Sequence, residues 1–277
     1  MKITTLEHVK LNELLDTFNL SFSDYFVTIK LNFEQLKHKM ISEDIDLSIS
    51  VGAFNGGKLV GFILHGKREL DGIKTFYNAG TGVIPKARGQ KLTKRMYVFC
   101  LPLLQNKKFQ QGILEVISNN QTAIPIYKSI GFEITRHLPC YKGIPQTNQI
   151  NQQLSFKKID TINWNLIKSF WDWKPTWQNQ PETINILSNT LEITVAYLNN
   201  VLVAYIIYNH ESNRINQFAV HKLYRNQDIG STLFNHVSKG KSVSLINVDG
   251  DDLQTNSFLK HLRLETFLTQ FEMKIAL

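Results

Sequence analysis

Apolar and polar residues alternate along residues 48–64, SISVGAFNGGKLVGFIL, on either side of Asn55-Gly56-Gly57. Alternation of period two interrupted by a turn-forming triplet predicts a β-hairpin. Residues 193–207, ITVAYLNNVLVAYII, repeat the design around Asn199-Asn200. Ahead of each hairpin stand a short strand (ITTL, then LSFKKI) and a helical, aromatic-rich stretch of roughly 25 to 35 residues by apolar periodicity. Behind each come another strand (TFYNAGTGVIP, then RINQFAV), an Arg-led turn, and an amphipathic helix beginning near Leu92 or Ile229. A strand of buried character (GILEVIS, then SVSLINV), a polar turn, a second helix and a closing strand (ITRHL, then TQFEMKIAL) complete each pass. The chain thus runs twice through the order β, αα, βββ, α, β, α, β, a repeat that governs the whole fold. Hairpins mixed with strand–helix–strand crossovers predict an α/β (α+β) class, each half a mixed, mostly antiparallel sheet flanked by helices. Residues 144–153, IPQTNQINQQ, are rich in Asn and Gln and lack apolar periodicity, so they read as a linker. Domains are expected at 1–145 and 151–277.

Composition narrows this only a little. With 277 residues, 43% hydrophobic and 19% charged, the chain has the makeup of a folded, water-soluble protein, and each half is long enough for a core of its own. No run approaches the roughly 18 to 20 apolar residues of a membrane span, and the first residues, MKITTLEHVK, are polar where a signal peptide is apolar. A cytoplasmic location without a membrane partner is therefore expected. Cys100 and Cys140 are the two cysteines, and neither a CxxC nor a His pair at metal-ligand spacing occurs, so reduced thiols and no metal are expected. The formal charge of +8 points to an anionic partner.

That charge gathers at one junction. Lys86, Arg88, Lys91, Lys94 and Arg95 place five cations within ten residues where a strand gives way to a helix, with 91, 94 and 95 on one helical face. A helix start reinforced by cations suits a diphosphate; the alternative is a solvated basic face with no ligand. GVIPKARGQKLTKRM here resembles the acetyl-CoA loop of the GNAT superfamily, V-x-P-x-x-[RQ]-x-x-G-x-[GA]. Downstream, LEVISNNQTAIPIYKSIGF is similar to that family's N-x-x-A-x-x-x-Y-x-x-x-G-F signature, on Asn120, Ala123, Tyr127, Gly131 and Phe132, and is nearest its ribosomal-protein alanine N-acetyltransferase branch. The resemblance implies an acyltransferase that takes acetyl-CoA as cosubstrate, held by Val83, Arg88, Gly89, Gln90, Lys91, Leu92, Thr93 and Asn120. Lys91 and Thr93 depart from the pattern, which has small residues there so that backbone amides can approach the phosphates. Those amides can still serve if Lys91 keeps a negative φ.

Alternation sets Glu115 on the face of Ile113 and Ile117, a partly apolar setting that raises a carboxyl pKa and suits a general base, acting through water on an ammonium. The resemblance places the family's base at the same position; a structural Glu paired with a Lys is the other reading. Tyr127 shares a core stripe with Ala123, Ile126 and Ile130. The resemblance makes it the general acid that protonates the departing thiolate, with a backbone N–H near Val83 stabilising the oxyanion of a direct transfer. Asn120 is by resemblance a partner of the pantetheine arm, and by position a helix N-cap.

The second half is expected to be a degenerate copy. Its loop, HKLYRNQDIGSTLF, keeps Arg225 and Gly230 but carries Asp228, whose carboxylate repels a diphosphate. Laying INV on LEV puts Asn247 at the place of Glu115 and Leu259 at that of Tyr127. The helical stretches hold aromatics, Phe18, Phe22, Tyr25, Phe26 and Phe33 in the first half and Trp164, Trp171, Trp173 and Trp177 in the second. Such residues are core or interface more often than ligand cage. The expected partner is a small-molecule or peptide amine, with a homodimer left open. Nucleic acid is not expected, for the chain has no RNP motif, zinc finger or recognition helix. The alternative function is a non-catalytic acyl-CoA-binding or sensor protein.

Overall fold

Two-residue turns with positive φ at both positions carry the twist that antiparallel strands require, and Gly and Asn adopt that conformation at low cost. Gly56-Gly57 (φ 55° and 80°) and Asn199-Asn200 (50° and 65°) are the turns that the alternation indicated, and Asp71-Gly72 (53° and 78°) is a third. The computed structural model describes residues 1–24, 29–147 and 149–277; Tyr25 and Phe26, named above, lie outside the described residues. The chain forms two compact units, Met1–Thr135 with Phe271–Leu277, and Arg136–Gln270.

Unit 1 runs β1 (Lys2–Thr5), α1 (Leu11–Ser21), α2 (Phe33–Ser42), β2 (Val51–Asn55), β3 (Lys58–Leu70), β4 (Ile73–Val83), α3 (Leu92–Asn106), β5 (Gln111–Ile117), α4 (Ala123–Ile130) and the start of β6 (Glu133–Gly143). Strands β1 to β4 pair antiparallel in order, and β5 joins β4 in parallel. A capping box between Asn32 and Gln35 starts α2, and Gly131, at φ 113°, ends α4 in the left-handed conformation that only glycine adopts without strain. One sheet face packs Phe76 and Leu114 against Met96, Tyr97 and Leu104 of α3. On α1, Phe18 stacks on Phe62 of β3 at 5.6 Å and meets Phe22 at a tilt at 4.8 Å, so Phe18 and Phe22 are packing residues.

Unit 2 continues with the rest of β6, β7 (Leu154–Ile159), α5 (Trp164–Lys168), α6 (Pro181–Ile186), β8 (Glu192–Leu198), β9 (Val201–Asn209), β10 (Arg214–Val220), α7 (Ile229–Ser238), β11 (Val243–Leu245), α8 (Leu253–His261) and the first part of β12 (Glu265–Ala276). Its strand order is β6-β11-β10-β9-β8-β7. Leu233 and Phe234 of α7 pack on Ala204 and Ile206 of β9 and on Leu259 of α8. Strand β11 is shorter than the expected SVSLINV, because Asn247 takes a left-handed φ of 58° and breaks the extended run.

The closing strands hold a departure from chain order. In unit 1 the place beside β5 goes to the end of β12, where the Leu277 N–H donates to the Gln110 carbonyl at 2.9 Å. In unit 2 the place beside β11 goes to β6, through Tyr141 to Gly143.

Candidate active site

In unit 1 the ladder between β4 and β5 covers Thr75–Asn78 against Gln111–Leu114, after which β4 runs on to Val83 and β5 to Ile117. The divergence has a local cause. Leu64 faces Gly80 and His65 faces Asn78, so Ala79 is an extra residue, a β-bulge that bends β4. Asn78 secures it: buried at 6% exposure, it accepts the Gly80 N–H at 3.0 Å and donates to the Tyr97 hydroxyl at 2.8 Å.

Glu115 is half-buried on β5, between the buried Ile113 and Ile117 of its face. Its carboxylate accepts a hydrogen bond from the phenol of Tyr77 on β4. Burial, and next the charge of Glu115, push the Tyr77 phenol well above its usual range, so it stays a donor at every physiological pH. No pattern in the sequence marks Tyr77 or Asn78; both act through partners on another strand or helix. Tyr127 belongs to the opposite layer: 7% exposed, it meets Tyr97 edge-on at 6.2 Å and Phe132 at 5.9 Å, and shares a cluster with Leu114 and Val116. At the start of α4 the Asn120 Oδ1 accepts the Ala123 N–H at 3.0 Å.

In the loop beyond Val83, Lys86, Gln90, Lys91, Lys94 and Arg95 are exposed, Thr93 is half-buried and Leu92 is core. Lys91, the N-cap of α3, has φ 56° and Gly89 has φ 79°, so Lys91 takes the glycine conformation of the family pattern instead of the negative φ considered above. The cations stand beside a helix start whose first N–H groups have no intrahelical acceptor, an arrangement fitted to phosphate oxygens. Arg88 is the exception. Its guanidinium grips Asp24 through two bonds, at 2.6 and 2.7 Å, and donates to the carbonyls of Ser21 (3.0 Å) and Val83 (3.1 Å). It ties the end of α1 to the loop, and Asp24, its hydrogen-bonded partner, is held below its usual carboxyl pKa by that contact.

Unit 2 repeats these details. Asn216 is the extra residue of β10, as Ala79 is of β4. Arg225 donates to the Val220 carbonyl at 3.2 Å, the Phe170 carbonyl at 3.1 Å and the Asp172 carboxylate at 2.6 Å, copying the Arg88 clamp. Asn226 (φ 59°) and Asp228 (φ 57°) stand for Gly89 and Lys91. The parallel pair Tyr77 and Ile113 corresponds to Arg214 and Ser244, which places Ile246, one residue before the Asn247 expected from sequence, at the position of Glu115. The kink at Asn247 absorbs the extra residue. Leu259 does take the place of Tyr127: the Phe132 N–H donates to the Tyr127 carbonyl at 3.0 Å, and the Leu264 N–H to the Leu259 carbonyl at 3.1 Å. A cavity of about 730 Å³ opens between β10 and β11, lined among others by Trp171 and Trp173, while Trp177 is core at 2% exposure.

Among the described residues no three His, Cys, Asp or Glu side chains are grouped to hold a metal, and no helix is long and apolar enough to cross a membrane. Both cysteines are buried free thiols. No curated protein matches the sequence. Solved structures share the fold at low identity. A tandem GNAT protein from the clavulanic acid biosynthesis pathway is 12% identical with a TM-score of 0.73, over 99% of this chain and 98% of its own. A GCN5-related N-acetyltransferase from Sphaerobacter thermophilus is 10% identical with a TM-score of 0.73, over 99% and 95%. A GCN5-related N-acetyltransferase from Anabaena variabilis is 15% identical with a TM-score of 0.64, over 99% and 72%. The Acetyltransferase (GNAT) family, whose members use acetyl-CoA as cosubstrate, matches residues 11–132 and again 160–241, more than half of the sequence. Two GNAT-like segments in one chain, each with the bulged strand, the arginine clamp and the left-handed helix cap, make this protein a member of the GNAT acetyltransferase family.

Proposed function

We propose that unit 1 is an N-acetyltransferase that moves an acetyl group from acetyl-CoA to a primary amine by direct attack. The observation that carries this reading is the strand divergence after Asn78 and Leu114, with Glu115 at its edge and the cationic start of α3 at its end. The cosubstrate supplies an activated acyl group as a thioester. Val83, Gly89, Gln90, Lys91, Leu92 and Thr93 would receive its phosphates and acyl oxygen through backbone N–H groups, Lys86, Lys94 and Arg95 adding charge. Arg88, bound to Asp24, would act by holding that loop in shape. Asn120 would position the start of α4.

Glu115 accepts the proton that the ammonium must lose before its nitrogen can attack, and the Tyr77 phenol fixes the carboxylate for that task. Tyr127 returns a proton to the sulfur leaving group. Within the family, the segment from Asn120 to Phe132 favours the ribosomal-protein alanine branch, so amino-terminal peptides head the acceptor screen, followed by polyamines, aminoglycosides and amino acids. The protein acts in the cytoplasm on this reading.

The burial of Tyr127 in the core favours a second reading, an acyl-CoA sensor without turnover. Glu115→Gln and Tyr127→Phe separate the two. Coenzyme A affinity measured by calorimetry should persist in both variants, while transfer of labelled acetyl falls on the order of a hundredfold or more. Undiminished transfer in either variant would reject that residue's role, and no transfer from wild type to any acceptor would leave the sensor.

A further inference from the structure

Two copies of one fold in a single chain show which buried groups the fold itself requires. The bulges at Ala79 and Asn216 align Asn78 with Ile215 and Thr81 with Phe218. The left-handed caps Lys91 and Asp228 align the helices that start at Leu92 and Ile229, and so Tyr97 with Phe234. Tyr127 corresponds to Leu259, as described above. In unit 1 the first three of these side chains are hydrogen-bonded to one another. The Gly80 N–H donates to Asn78 Oδ1 at 3.0 Å, which turns the amide NH2 toward Thr81 Oγ1 at 2.9 Å and the Tyr97 hydroxyl at 2.8 Å. Tyr97 is fully buried and accepts from Asn78, so its own proton is left to give, and its ring meets that of Tyr127 edge-on at 6.2 Å. Burial, and next the charge of Tyr127, hold the Tyr97 phenol well above its usual range, so it keeps that proton.

In unit 2 every member of the set is apolar. Phe218 meets Phe234 edge-on at 4.8 Å, and Ile215 and Leu259 are core residues at 1% and 0% exposure. The bulge and the helix form there all the same. An apolar set spares the desolvation of buried amide and hydroxyl groups, and replacing both partners of a hydrogen bond by apolar groups of like shape is close to neutral. The fold therefore does not need the polar set, which occurs in the copy that has Glu115 and Tyr127.

We propose that Asn78 and Tyr97 are positioning residues for the general acid: Asn78 fixes the Tyr97 hydroxyl so that its proton serves the Tyr127 oxygen, steadying the phenolate left when Tyr127 protonates the departing thiolate. The inference rests on the acid role assigned to Tyr127 above. In that step the Tyr127 O–H bond breaks and an S–H bond forms, the electron pair stays on the Tyr127 oxygen, and solvent later returns the proton. Tyr97 keeps its own proton throughout.

The test places the residues of unit 2 into unit 1. Asn78→Ile combined with Tyr97→Phe should unfold at the wild-type temperature and bind coenzyme A with wild-type affinity, because both partners of the bond are removed together. For transfer of labelled acetyl, kcat should fall about tenfold or more at unchanged KM. The alkaline limb of kcat should move up by about one pH unit, since a phenolate without its donor is harder to form. Tyr97→Phe alone should give the same kinetic change, and it carries the test if the double variant does not fold. The Cζ resonance of Tyr127, assigned by its loss in Tyr127→Phe, reads the surroundings of the same oxygen without turnover and should shift in both variants. Wild-type kcat and pH profile in the double variant, beside a Tyr127→Phe protein that has lost transfer, would overturn this inference and leave the acid role standing. Undiminished transfer in Tyr127→Phe would remove both. An unmoved Tyr127 resonance would overturn the inference whatever the transfer rate.

Discussion

Replacing Lys91 with glycine separates two effects that one residue now combines. At φ 56° the Lys91 backbone lies where a side chain clashes with its own carbonyl, which costs roughly 1–2 kcal/mol for a residue other than glycine. Glycine removes that strain and loses roughly 0.5–1 kcal/mol through its freer unfolded chain. The balance predicts that Lys91→Gly stabilises unit 1 by about 0.5–1 kcal/mol, a rise of a few degrees in unfolding temperature. The same change removes an exposed cation from the start of α3, whose ion pair with a phosphate would be worth about 0.3–1 kcal/mol. Coenzyme A should therefore bind about two- to fivefold more weakly at low salt, and the difference should shrink as salt screens the charge. Calorimetric unfolding and titration on the same preparation read both quantities. A variant that melts lower than wild type would refute the strain argument. One that binds coenzyme A more tightly would show that close approach of the amides outweighs the lost charge.

Three further outcomes are expected. His65, fully buried, donates through Nδ1 to the Ile49 carbonyl at 2.8 Å, and burial lowers its pKa from 6.5 to about 4. The unfolded chain therefore binds a proton that the folded one refuses. The stability tied to the neutral ring is complete above about pH 6.5 and lost as pH falls toward 4, on the order of 3 kcal/mol. Urea unfolding from pH 7 to 4, read by hydrogen exchange on β3, should show a steeper acid loss in wild type than in His65→Asn, and parallel curves would contradict it. Asn78→Ala should destabilise unit 1 by about 1–3 kcal/mol, because the Tyr97 hydroxyl and the Gly80 N–H lose a buried partner; a loss below the error of a urea titration would show that the bulge does not need its tie. At Gly112 an added Cβ would overlap the Phe76 ring, so Gly112→Ala should cost about 1–3 kcal/mol by overpacking, measurable as an earlier urea midpoint.

Legibility of the site followed the range of each interaction. The cationic junction could be read because its charges are neighbours in the chain, and Glu115 because alternation along one strand fixes its face. Arg88 was misleading, for a cation in a phosphate loop looks the same whether or not Asp24, 64 residues earlier, has claimed it. Tyr77 reaches Glu115 over 38 residues, and nothing local to Tyr77 distinguishes it from other strand aromatics. The register of β11 slipped by one residue because the left-handed kink at Asn247 has no glycine to signal it.

What the sequence by itself determined was the local framework: the hairpin turns at Gly56-Gly57 and Asn199-Asn200, the helix starts at Leu92 and Ile229, and the doubled order of elements. Each depends on residues a few positions apart, whose conformational preferences act before any tertiary contact forms. The tertiary structure alone decided that β12 completes the sheet of unit 1 and β6 that of unit 2, since either strand carries the alternation needed for either place. It alone decided that unit 2 keeps a cavity of about 730 Å³, because a void is fixed by side chains converging from β10, β11, α7 and α8 and by no stretch of chain on its own.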